Sequence, residues 1–324
     1  MKEVLMMQGA HKIATVCADL KAGERVVIVT DFECARCGEI MAAACKALGA
    51  EVVMTVMEPV EVDGAEPPEA VALAMKTAQV LFLPVTQSIS HSRATHEAVK
   101  AGARALSLAG FLPEMFYEGG INADFLALQP TCDALAARLE RADKAELTTP
   151  GGTNMVFDLA GRPGNSHSCV PHTPGFTAVP NIEANTSPAE EGCEGLIVAD
   201  AAVPNYRIGP LREPIRLKVE KGRIVDIQGG DQAQFLKERF AEHQDQAVYN
   251  IAQLAFGLNP ESKICDRFLE MHGAAGTAHI GIGTSTFLGG TVRAPLHFDV
   301  VMYAPTLLLD GEKVIEDGKL LIEA

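Results

Sequence analysis

Long apolar runs are absent from this chain of 324 residues. Nothing approaches the roughly 20 residues that a membrane-spanning helix requires, so no membrane segment is expected. Positive charge is scarce. Lys and Arg number 27 against 42 Asp and Glu, a formal net charge of −15. That balance argues against a nucleic acid as partner, because such contacts rest on clustered cations. The acidic surplus also raises the local concentration of cations, which suits a metal site. A Gly-x-Gly-x-x-Gly turn is missing after the first strand, where Thr30-Asp31-Phe32-Glu33 stands, and no dinucleotide site is expected. No Gly-x-Ser-x-Gly elbow anchors Ser-His-Asp catalysis. Internal repeats, low-complexity tracts and charge blocks are lacking too. The first twenty residues place Lys2, Glu3, His11, Lys12 and Asp19 between short apolar steps, which reads as an amphipathic helix rather than a secretion signal. Cysteines fall irregularly, at 17, 34, 37, 45, 132, 169, 193 and 265, and reduced thiols of a cytoplasmic protein are expected. Cys34-Ala35-Arg36-Cys37 has no second Cys-x-x-Cys to complete a zinc ribbon, and the pattern beyond it does not fit a thioredoxin-like redox pair.

What is present is ordinary globular composition, 48% apolar and 21% charged, at a length that suits two domains. Over the first part, β-branched runs alternate with helical stretches. Strands are predicted at Arg25–Thr30, Glu51–Met57, Val80–Pro84 and Ala103–Ser107, with helices at Arg36–Leu48, Pro68–Ala78 and His91–Ala101. Strands separated by helices of about ten residues indicate βαβ units and a parallel sheet. After Pro150-Gly151-Gly152 short strands and glycine-rich turns prevail. A hairpin is predicted over Arg216–Ile227 with its turn at Lys221-Gly222, then helices at Gln232–His243 and Gln246–Leu254. The expected fold is α/β: an N-terminal parallel-sheet, Rossmann-like domain over residues 1–147, then an α+β metal-binding domain over 148–324.

Candidate chemistry gathers in the second half. In Pro295-Leu296-His297-Phe298-Asp299-Val300 a strand projects His297 and Asp299 from the same face, so imidazole and carboxylate can share one metal ion. His279 stands in Gly276-Thr277-Ala278-His279-Ile280-Gly281-Ile282-Gly283, where glycines two and four residues later permit close approach. Ile251 to Phe256 is apolar with a single amide, Gln253, and is closed by the turn residues Gly257, Asn259 and Pro260, while Glu183 is an isolated acid in a polar stretch, by itself a solvated surface group. His167-Ser168-Cys169-Val170-Pro171-His172 clusters soft ligands in a loop.

Together these segments resemble the leucyl aminopeptidase, aminopeptidase T-type metallopeptidases, which share ancestry and fold with the 2,5-dihydroxypyridine ring-cleaving dioxygenases. The resemblance spans nearly the whole chain. It begins at Lys21-Ala22-Gly23-Glu24-Arg25-Val26, continues through Glu66-Pro67-Pro68, Ser88-Ile89-Ser90-His91 and Glu213-Pro214-Ile215-Arg216-Leu217-Lys218-Val219, and is most specific at Gly-Thr-x-His279-Ile and Pro-x-His297-x-Asp299. It implies metal ligands at Glu183, His279, His297 and Asp299, with the fifth ligand position falling on Gln253; Glu183, Gln253 and His272 are the candidate catalytic groups. Two departures stand out. Gln253 replaces an acid with a neutral amide, a weaker ligand for bridging two ions, and Thr286 stands where the peptidases carry a helper tyrosine. In the dioxygenases, which hold one iron on two histidines and a carboxylate, position 253 would be a histidine. There His279 is a substitute third ligand, and His272 a base or a ligand. The expectation is a metal-dependent hydrolase of peptides or small amides using zinc, cobalt or manganese. A non-haem Fe(II) ring-cleaving dioxygenase is the alternative, and a metal-free binding homologue a third reading. The resemblance also implies a small-molecule or short-peptide substrate and a homo-oligomer, a dimer or larger.

Overall fold

A computed structural model describes residues 2–170 and 174–322, the side chain of Arg207 aside. By internal packing the chain forms two compact units interleaved in sequence. The first comprises Met1–Gln129, His167–Asn181 and Arg267–Glu270, the second Pro130–Ser166, Ile182–Asp266 and Met271–Ala324.

The first unit carries the expected parallel sheet. Its order is Glu51–Met57, Arg25–Asp31, Val80–Leu83, Arg104–Ser107 and Gly175–Ala178, every neighbouring pair parallel. The strand Val80–Leu83 is buried at every residue, and Arg25–Asp31 at all but its first. Continuous burial is why these strands read as unbroken β-branched runs rather than alternating ones. Helix Ala35–Ala47 ends before Gly49, whose φ of 85° is the left-handed turn glycine accepts without strain. Helix Arg93–Lys100 starts on Ser92, whose hydroxyl accepts from the Thr95 amide at 3.2 Å. At the end of the first strand, buried Asp31 accepts from the Cys34 and Thr86 amides at 2.9 and 2.5 Å. It joins the two loops that flank the sheet's crossover. Gly175–Ala178 extends the sheet from a segment far along the chain, where no preceding helix announces it.

The second unit holds two sheets, of eight and of seven strands. In the eight-stranded sheet every neighbouring pair is antiparallel. The predicted hairpin is there, Ile215–Glu220 with Arg223–Gln228, and Lys221 and Gly222 both take positive φ, 47° and 71°. The seven-stranded sheet contains a row of four antiparallel strands: Glu183–Thr186, Ile251–Gly257, Thr277–Gly283 and His297–Tyr303.

One predicted element differs. The helix read over Gln246–Leu254 is a single 3₁₀ turn, Gln246–Tyr249, followed by the strand Ile251–Gly257, buried throughout. A strand covered on both faces loses the alternation that distinguishes it from a buried helix, so Ile-Ala-Gln-Leu-Ala-Phe is ambiguous by period alone. Glu183 is likewise no surface acid. It opens a fully buried strand and is only 4% exposed.

Candidate active site

The four-stranded row decides which side chains meet. Gln253, Gly281 and Asp299 stand opposite one another on three successive strands, and His297 opposes Gly283. His279 opposes Ala255, which opposes Asn185, and Glu183 opposes Gly257. Residues two apart on a strand share a face. Glu183, Gln253, His279, His297 and Asp299 therefore project from one face of one sheet.

They form a closed ring with His272, which lies on the short helix Phe268–Gly273. Gln253 Nε2 donates to Glu183 Oε1 at 2.9 Å, and Gln253 Oε1 lies 3.0 Å from His297 Nε2. His297 Nε2 is 3.4 Å from Asp299 Oδ1, and His272 Nε2 is 3.1 Å from Asp299 Oδ2. The rings of His272 and His279 meet edge-on at 5.5 Å, and His279 Nε2 is 3.4 Å from Glu183 Oε2. The structure thus brings together all six side chains singled out in the sequence.

Four residues not singled out as site groups position the ring. Asn185 Nδ2 donates to Glu183 Oε1 at 2.7 Å. With the carboxylate accepting from both amides, the Gln253 side chain is fixed with its oxygen toward His297, since the flipped amide would set oxygen against oxygen. The Thr284 carbonyl lies 2.9 Å from His297 Nδ1. It selects the Nδ1–H form and leaves Nε2 directed into the ring, the arrangement of most metal-binding histidines. Asn205 Oδ1 accepts from the Asp299 amide at 2.9 Å. Gly281 leaves room: a Cβ there would fall 2.8 Å from the Cε1 and Nε2 atoms of His297. Of these only the glycine had a sequence signal, its place in a strand beside His279.

The electrostatics follow from burial and pairing. Burial works against charge on His297, but the Asp299 carboxylate and the Thr284 carbonyl outweigh it and raise the pKa above the ordinary value. Burial would raise Asp299, yet the charge of His297 and the hydrogen bond from His272 hold it well below the usual carboxylate range. His279 moves the other way. Burial dominates, its pKa falls, and the ring stays neutral.

Among the described residues no three His, Cys, Asp or Glu side chains stand as a ready metal cage. The donor atoms are turned onto one another instead. Their chemistry still fits a divalent ion: imidazoles face both oxygens of one buried carboxylate, and Asp299 Oδ1 has no hydrogen-bond partner. The Nε2 of His297 faces two acceptors, Gln253 Oε1 and Asp299 Oδ1, so only a proton or a metal cation between them satisfies all three.

The cysteines among the other sequence candidates are buried in the fold. Cys34 and Cys37 are buried, their thiols pushed up to about 11 and about 12 by burial, and Cys37 Sγ donates to the Phe111 carbonyl at 3.3 Å. Cys169 Sγ donates to the Asn181 carbonyl at 3.3 Å, while Pro171 and His172 lie outside the described residues.

Comparison with known proteins decides the family. Residues 7–322 match the family described as NicX: 2,5-dihydroxypyridine 5,6-dioxygenase. The chain belongs to the NicX family. The 2,5-dihydroxypyridine 5,6-dioxygenase of Pseudomonas putida is 27% identical over 254 residues, 72% of this chain and 69% of that protein. The solved structure of the 2,5-dihydroxypyridine dioxygenase from Pseudomonas putida superposes with a TM-score of 0.81 at 20% identity, over 99% of this chain and 98% of the other. AmpT from Thermus thermophilus superposes with a TM-score of 0.71 at 16% identity, over 99% and 100%. At such identities the structural likenesses speak for the fold alone.

The expectation of an aminopeptidase T-type hydrolase is therefore corrected: NicX membership sets this chain with the ring-cleaving branch. The neutral amide of Gln253 is the physical counterpart of that correction, because it removes the carboxylate that a pair of ions would share. The expectation of metalloprotease chemistry goes with it. Among the described residues no helix is long and apolar enough to cross a membrane.

Proposed function

We propose that this protein is a non-haem Fe(II) dioxygenase that opens the ring of a hydroxylated N-heterocycle of the 2,5-dihydroxypyridine type. The NicX match over residues 7–322 carries the reading. The donor set supports it, since histidines paired with one carboxylate are what a ferrous oxygenase needs. His297 and Asp299 hold the ion in this reading, with a third donor from the same ring of side chains. A bound ferrous ion supplies the redox chemistry that dioxygen requires to react with a ring.

The protein's own groups do the rest. Thr284 and Asp299 fix the orientation of His297. Asn185 and Gln253 hold Glu183 through Oε1. Glu183 Oε2 lies on the His279 side, and in this reading it takes a proton from a ring hydroxyl. Burial of every residue in the two central strands keeps bulk water from this face.

The test is direct. Protein reconstituted anaerobically with Fe(II) is mixed with 2,5-dihydroxypyridine in air, and ring absorbance and dissolved oxygen are followed together. Both should fall in step. Iron-loaded protein that leaves the ring intact while releasing amine from aminoacyl anilides would overturn the reading.

A further inference from the structure

The ring of side chains offers three groups as the third donor beside His297 and Asp299: Gln253, His279 and His272. Their directions separate them. Gln253 is tied at both ends of its amide, donating to Glu183 Oε1 at 2.9 Å and presenting its oxygen to His297 Nε2 at 3.0 Å. That oxygen is neutral, and its place is set by two other residues. His279 sets its Nε2 at 3.4 Å from Glu183 Oε2, a different carboxylate. His272 alone aims a ring nitrogen at the carboxylate that His297 also faces, with Nε2 at 3.1 Å from Asp299 Oδ2.

The backbone around His272 is built to hold it there. Gly257 has no side chain, and a Cβ on it would strike the Ala274 carbonyl oxygen at 2.3 Å. The helix end therefore lies against the Ile251–Gly257 strand. The Asn259 amide donates to the Gly273 carbonyl at 2.8 Å, and the Ala275 amide donates back to the Asn259 carbonyl at 3.0 Å. The two hydrogen bonds staple the residues just past His272 to the end of that strand. His272 itself is only 7% exposed, so its imidazole is spent on the site rather than on solvent.

We propose that His272 is the second imidazole ligand, so that a helix-borne histidine joins strand-borne His297 and Asp299 around one ferrous ion. Gln253 and His279 then act as groups that orient the site without binding the ion. The inference rests on the iron reading above but concerns a different point, which residue completes the triad. Two histidines and one carboxylate, the donor set of a non-haem ferrous site, would be supplied by two strand positions and one helix position.

Anaerobic Fe(II) titration of wild type, His272→Ala, His272→Gln and His279→Ala tests this, with the EPR signal of the ferrous nitric oxide adduct as a second readout independent of turnover. We expect His272→Ala to bind Fe(II) at least about 100-fold more weakly, more than loss of an outer hydrogen bond commonly costs. Added imidazole should restore the EPR signal in His272→Ala. His272→Gln can keep a hydrogen bond to Asp299 yet lacks the imidazole, so it should stay as weak as the alanine variant. His279→Ala should retain the wild-type stoichiometry. Near-UV circular dichroism of the metal-free proteins identifies any variant that fails to fold, and the glutamine variant then stands in for the alanine one. Wild-type affinity in His272→Ala, full rescue by glutamine, or loss of iron in His279→Ala would each overturn the assignment. Wild type that binds no iron would instead overturn the functional reading, and this inference with it.

Discussion

Gln253 Oε1 and His297 Nε2 meet at 3.0 Å across a strand that carries Gly281 between them. The contact exists because position 281 has no side chain. A Cβ there would lie 2.7 Å from the Cβ of Gln253 and 2.8 Å from two atoms of the His297 ring. A bare backbone in the middle strand lets groups two strands apart touch, and it sets the width of the whole ring.

Gly281→Ala should therefore act on the site first. Adding one methyl to a filled space costs roughly 1–3 kcal/mol when neighbours must shift, and here the neighbour is the imidazole proposed to hold the ion. We expect a lower melting temperature for the metal-free protein and weaker Fe(II) binding. Unchanged affinity would mean that the His297 ring can move aside without consequence.

Gln253→Ala should separate the amide's structural part from metal binding. The change strips Glu183 Oε1 of the hydrogen bond from Gln253 and leaves the one from Asn185 in place. Unsatisfying a buried polar group costs roughly 1–3 kcal/mol, which urea unfolding of the metal-free protein should record. Gln253→Glu should be worse, because it sets a second carboxylate beside Glu183 with no donor between them. Equal stability of wild type and both variants would show that the amide bridge carries no weight.

Asp31→Ala gives the contrasting case in the other unit. Asp31 is fully buried and accepts from Cys34, from the Thr86 amide and from the Thr86 hydroxyl at 3.0 Å. Removing a charged acceptor with several donors should cost about 3 kcal/mol or more. Iron stoichiometry measured well below the melting temperature should stay at the wild-type value. Loss of iron in a folded Asp31→Ala protein would show that the two units do not act separately.

Several of these positions could be found in the sequence, and the reasons divide cleanly. His297 and Asp299 needed only the strand period of two. The parallel sheet needed only the alternation of β-branched runs with helices. Gln253 was visible as the single amide in an apolar run, but not its strand, because burial on both faces erases the period. Glu183 looked solvated because a four-residue strand is too short to show a pattern. The contact of His272 with Asp299 joins a helix to a strand 27 residues away, and no local rule reports such a meeting. The same holds for Asn205, whose place behind the Asp299 amide depends on a loop nearly a hundred residues earlier.

Acid should weaken the hold of Glu190 on the loop between the strands Thr277–Gly283 and His297–Tyr303. This carboxylate accepts from the Thr291 amide and hydroxyl at 3.0 and 2.8 Å and pairs with Arg162. Burial would raise its pKa, but these bonds outweigh it and hold the group at about 2, against an ordinary 4.5. A depressed carboxylate contributes stability that is present above the ordinary value and lost as the pH falls through the folded one. The stability gap between wild type and Glu190→Gln should thus be full near neutrality and shrink between about 4.5 and about 2. A gap that holds constant over that range would rule out the charge as its source.

Asp299 is the residue on which everything converges, since both its oxygens face imidazole nitrogens. The decisive measurement is iron content and oxygen uptake on the same preparation, with 2,5-dihydroxypyridine as substrate, for wild type beside Asp299→Ala. We expect wild type to hold one iron per chain and to consume one dioxygen per ring opened, and the variant to lose iron and uptake together. Full iron and undiminished uptake in a folded Asp299→Ala protein would contradict the site described here.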